Sequence, residues 1–97
     1  MRAFDVRLNG KQLCIAGIGG DGSLNAMIDY SAGQGKQRLS LRVGGLAADA
    51  DEFVTWSAMS LNVGDEITLR IIEADSVDPP RTRIRRDAKP TERDAGA

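Results

Sequence analysis

The sequence predicts an all-β domain: a small antiparallel sandwich, or a partly open barrel, of about six strands. Three observations carry this. Apolar and polar residues alternate with period two along most of residues 1 to 75. Glycine-rich turn signals recur at roughly ten-residue spacing. No segment carries the 3.6-residue apolar repeat of a long helix.

The first strand is read in Ala3 to Leu8, where Phe4, Val6 and Leu8 oppose Asp5 and Arg7. Asn9-Gly10 follows, a strong hairpin signal because both residues tolerate positive φ. Lys11 to Ile18 is the return strand. Leu13 and Ile15 on one face and Cys14, Ala16 and Ile18 on the other make it apolar on both sides, as in a covered strand. Gly19 to Ser23 is a loop by composition. Leu24 to Tyr30 alternates again, and Ser31 to Lys36 reads as a second loop. Gln37 to Val43 is the cleanest strand, with Leu39, Leu41 and Val43 against Arg38, Ser40 and Arg42.

Leu46 to Glu52 has the composition of a short helical turn. Phe53 to Ala58 is a strand with Val54 and Trp56 on one face; Asn62 to Asp65 is a turn; and Glu66 to Glu73 places Ile67, Leu69 and Ile71 inward. The first four strands are expected to form a meander, and the last to pair near the first, covering a bare edge. Pro79-Pro80 cannot continue a ladder, and Ile84 is the one large aliphatic residue beyond it. Residues 1–75 are therefore expected to form the domain, and 76–97 a disordered, charged tail.

Charge is local rather than global. The chain of 97 residues has a net charge of −1. Arg81 to Lys89 holds five basic residues and one Asp, a net of +4. Cys14 is the single cysteine, which excludes an intrachain disulfide and suits a reducing cytoplasm. No apolar run approaches the length of a membrane-spanning helix, so no membrane association is expected.

The chemistry-bearing motifs are sparse. Gly17, Gly19, Gly20 and Gly22 lack the lysine of a phosphate loop, and their spacing departs from the dinucleotide fingerprint. Asp49, Asp51 and Glu52 cluster without the ligand set of a calcium loop. There is no histidine, which removes the commonest general base and metal ligand and any Ser-His or Cys-His pair. No cofactor is expected. Cys14 reads as an inert buried thiol. Trp56 reads as a core or rim anchor that could also stack on a ligand.

The run from Leu61 through Val63-Gly64-Asp65-Glu66-Ile67 to Asp78-Pro79-Pro80 resembles the C-terminal end of a group of small uncharacterised bacterial β-proteins. Their Val-Gly-Gly-Leu segment and tryptophan match Val43 to Leu46 and Trp56. The group has no assigned activity, so the resemblance implies no functional residue.

Three functions compete on these grounds. The first is a non-enzymatic protein-interaction module, with Trp56, Arg81, Arg83, Arg85 and Arg86 as candidate partner-binding residues. The second is binding of nucleic acid or another anionic surface through the basic tail. The third is a small hydrolase using carboxylates such as Asp21 or Asp29. The expected assembly is a monomer or a weak homodimer.

Overall fold

The computed structural model describes residues 1 to 86. Two antiparallel sheets pack face to face. Chain order gives β1 (Arg2–Leu8), β2 (Lys11–Gly17), β3 (Gly22–Gly33), β4 (Lys36–Ala47), β5 (Glu52–Ser60), β6 (Ile67–Glu73) and β7 (Thr82–Arg85). One sheet has the order β2-β1-β6 and the other β3-β4-β5-β7. The architecture is the expected sandwich, with no helix among the described residues.

The β1–β2 turn is made as the sequence demands, with Asn9 at φ 52° and Gly10 at φ 83°. Asn9 also ties this turn to the start of β6. Its N–H donates to the Glu66 carbonyl, its side-chain oxygen accepts from the Glu66 N–H at 2.8 Å, and its amide donates to Asp65 at 3.0 Å. β6 pairs with β1, as expected, from Arg2↔Glu73 to Leu8↔Ile67.

Several expectations are corrected. There is no four-strand meander, because the chain crosses to the second sheet between β2 and β3. The turn after β3 is only Gln34-Gly35, at φ 52° and 75°, so β3 and β4 pair without interruption from Gly22↔Ala47 to Gly33↔Lys36. Leu46 to Glu52 makes no helical turn: β4 runs to Ala47, and Asp51, at φ 55°, donates its N–H to the Ala48 carbonyl to close a tight turn. Seven residues, at most two turns, cannot sustain a helix against the pull of an adjacent ladder.

The chain beyond residue 75 also departs from expectation. Asp78 bonds to the free edge of β2, and β7 pairs with β5 from Thr55↔Thr82 to Glu52↔Arg85. Residues 76 to 86 are thus part of the sandwich. Composition concealed this because the segment buries little of its own and is held by backbone bonds that its partners offer. The expected disordered tail otherwise falls on residues 87 to 97, outside the described residues.

The core joins Val6, Cys14 and Ala16 of the first sheet to Leu41, Val43, Val54 and Trp56 of the second. A β-bulge shapes it. Val43 pairs with Ser57 and Gly44 with Thr55, leaving Trp56 as the extra residue of β5. The bulge shifts the phase of alternation, so Val54 and Trp56 before it and Ser57 and Met59 after it all turn inward. Gly45 permits the close approach of β3, since any Cβ there would collide with the Ser23 carbonyl.

Candidate functional site

Two features of the surface have the shape of a site. The first is a cavity of about 340 Å³ between the Gly17–Asp21 loop, the turn after β4 and the Val77–Pro80 strap. Its inner wall is apolar, formed by Ile18, Val54, Trp56 and Val77. Asp21, Asp49, Asp78 and Arg83 stand around it.

Three of these charges, Asp49, Asp78 and Arg83, already have work within the fold. Asp49 accepts the Asp21 N–H at 3.3 Å and so holds the glycine loop against the β4–β5 turn. The Asp78 carboxylate accepts the Ile15 N–H at 2.9 Å, while its own N–H donates to the Ile15 carbonyl at 2.9 Å. Arg83 pairs with Glu52 at 3.3 Å. Asp29, the other carboxylate of the hydrolase reading, lies on exposed β3 away from this cavity. Among the described residues, no group of three or more potential ligands could hold a metal ion.

Trp56 is 4% exposed, so it is a wall of the cavity rather than a projecting platform. Its indole N–H donates to the Asp78 carbonyl at 2.7 Å. The four arginines named from sequence lie on or beside β7, not with Trp56 as one surface. The Arg81 N–H donates to the Thr55 carbonyl and the Arg86 N–H to the Asp51 carbonyl. The Arg86 guanidinium meets the Asp51 carboxylate at 2.8 Å. The acidic cluster at the β4–β5 turn therefore partners the basic segment, an association that sequence separation hid.

Cys14 faces the core beneath Asp78. Burial, then the negative charges of Asp78 and Asp5, push its thiol up to about 11. Such a thiol is a poor nucleophile at neutral pH.

The second feature is the open side between β3 and β6, which sequence reading missed. Ile28 pairs with core residue Leu41, and Leu69 with core residue Val6, so both sit on the inner faces of their sheets. The same holds for Tyr30 beside Leu39 and for Ile71 beside Phe4. Yet Ile28 is 56% exposed, Tyr30 61%, Leu69 40% and Ile71 69%. The reason is strand order: the core joins β1 and β2 to β4 and β5, and among the described residues no further strand covers the outermost strands β3 and β6. Leu69 and Ile71 thus face inward, as expected, but are left uncovered. The alternation that marks an inward face cannot tell whether anything lies opposite.

The distal half of the β3–β4 hairpin, from Asp29 through Arg38, is exposed on both faces and extends the open side as an arm. Comparison of the chain with known protein families, curated proteins and solved structures finds no match.

Proposed function

We propose that this protein is a non-enzymatic protein-interaction module that binds another polypeptide on the open side between β3 and β6. The observation that carries the reading is the set Ile28, Tyr30, Leu69 and Ile71, four large apolar residues on inner sheet faces and left in water. Large apolar side chains left in water on a small domain are costly to leave bare, and clusters of them mark binding surfaces. Two strand edges flank it, and each can add a further strand through backbone hydrogen bonds.

The competing readings have weaker support. A grip on phosphates needs unpaired cations, and Arg83 and Arg86 are engaged by Glu52 and Asp51. Carboxylate hydrolysis needs two acids poised across a cleft. Asp21 lines the cavity while Asp29 lies on the arm.

The test is capture of partners by immobilised protein from lysate of the native host, run beside the Tyr30→Asp and Ile71→Asp variants. Both positions are exposed, so the fold should tolerate the changes. The expected result is a protein recovered by the parent and lost by both variants. Recovery of the same proteins by all three, or of nucleic acid alone, overturns the reading.

A further inference from the structure

We infer that the partner on this side is a second copy of the chain, joined by antiparallel pairing of the two β3 edges about a two-fold axis at Met27. The inference rests on the interaction reading above and gives the β3 flank of that side an occupant.

The four sheet edges differ in how they are guarded. The β2 edge is occupied by Asp78 at Ile15. β7 has four residues, two of them arginine. β6 carries Arg70 and Glu73. β3 has twelve residues, no proline and one charge, Asp29. Natural sheets blunt exposed edges with charge, proline or brevity, and β3 uses almost none of these devices.

The backbone of β3 is set for pairing. Gly33 and Lys36 flank the two-residue turn and form its hydrogen-bonded pair, so Ser31, Asp29, Met27 and Asn25 bond inward to β4. Leu24, Ala26, Ile28, Tyr30 and Ala32 then direct their N–H and C=O groups to the free edge. The Leu61 N–H to Leu39 carbonyl bond on the far side of β4 obeys the same alternation.

Side chains choose the register. With the axis at Met27, Ala26 lies opposite Ile28 of the other copy and Leu24 opposite Tyr30, so the apolar inner face continues across the junction. On the outer face, Asn25 lies opposite Asp29, an amide beside a carboxylate, twice by symmetry. An axis at Asp29 would oppose two like charges, and an axis at Ile28 would set Met27 against Asp29. The paired edge, Gly22 to Ala32, is about 37 Å long and about 10 Å deep, on the order of 400 Å² per copy in projection, smaller than the roughly 800 Å² per partner of a standard interface. A micromolar dimer is the expected strength.

The experiment is sedimentation of the full chain across the micromolar range, with oxidative cross-linking of two single variants. At the axis, the pair at position 27 is not hydrogen-bonded, and its Cα atoms should lie about 4.5 Å apart, within disulfide reach. Met27→Cys should give a covalent dimer on oxidation. Asp29→Cys should not, because its two copies would be about 13 Å apart along the strands. Asn25→Lys, which sets a cation against Asp29, should tighten the dimer several-fold, a gain that misfolding cannot mimic; Asn25→Asp should weaken it about tenfold. A chain that stays monomeric throughout, or that cross-links equally at position 29, overturns the inference. A monomer that still captures a host protein through Tyr30 and Ile71 overturns the dimer and leaves the interaction reading standing; a monomer that captures nothing overturns both.

Discussion

The indole N–H of Trp56 donates to the backbone carbonyl of Asp78 at 2.7 Å, and Asp78 in turn bonds to both backbone groups of Ile15. One residue of the Val77–Pro80 strap thereby links the bulge of β5 in one sheet to the edge of β2 in the other. The core beneath is small, with eight buried apolar residues among those described. A polar clamp across its margin therefore matters more than it would in a larger domain.

Trp56→Phe keeps most of the ring but leaves the Asp78 carbonyl without its donor. Chemical denaturation should show a loss of about 1–2 kcal/mol. The parent should emit at short wavelength and resist aqueous quenchers, as suits a residue 4% exposed. An unchanged midpoint, or red-shifted and readily quenched emission, would contradict the clamp.

Gly10→Val should destabilise the domain by about 1 kcal/mol or more, because Gly10 sits at φ 83°, where a β-branched residue is strained. The effect should appear as a shifted midpoint with an unchanged slope. A neutral result would place the tight turn elsewhere.

Acid should weaken the fold through Asp65 and Asp5. The Asn62 N–H and the Asn9 amide hold the Asp65 carboxyl below its ordinary value of 3.8. For Asp5, burial pushes upward but is outweighed by hydrogen bonds from Gln12 and Arg7 and by the charges of Arg7 and Arg70, so its value is lowered too. A carboxyl depressed in the folded state binds fewer protons there than in the unfolded chain. Its stabilisation is complete above the ordinary carboxylate value and is lost as pH falls through the folded one. Melts from pH 6 down to about 2 should show this acid limb, and Asp65→Asn should flatten it. A limb of equal steepness in that variant would exclude Asp65 as a contributor.

The Cys14 thiol, raised to about 11, should be almost wholly protonated at pH 8. It is also buried. Iodoacetamide should therefore label it at pH 8 only after denaturant is added. Rapid labelling of the native chain would mean that the seam between the sheets opens under native conditions.

Much of the architecture was legible because it depends on local rules. The Asn9-Gly10 turn follows from which residues tolerate positive φ, and the strands around it from period-two alternation. The pairing of β6 with β1 was foreseeable as cover for an edge. The candidate surface was hidden in part. Leu69 and Ile71 carried the pattern of an inward face and read as such, and Tyr30 shared the alternation of its strand; nothing in that pattern says how many strands the opposing sheet supplies.

The all-β class, the first hairpin, the inward faces of β1, β4 and β6 and the absence of a histidine-based site follow from the sequence, because alternation, turn chemistry and residue type are properties of short segments. Tertiary structure alone decided the rest. The bulge at Trp56, the strap at Asp78, the docking of β7 on β5 and the bare inner faces of β3 and β6 each depend on what lies opposite. Such contacts join residues far apart in the chain. Their free energy comes from the partner presented by the fold and not from any preference of the segment itself.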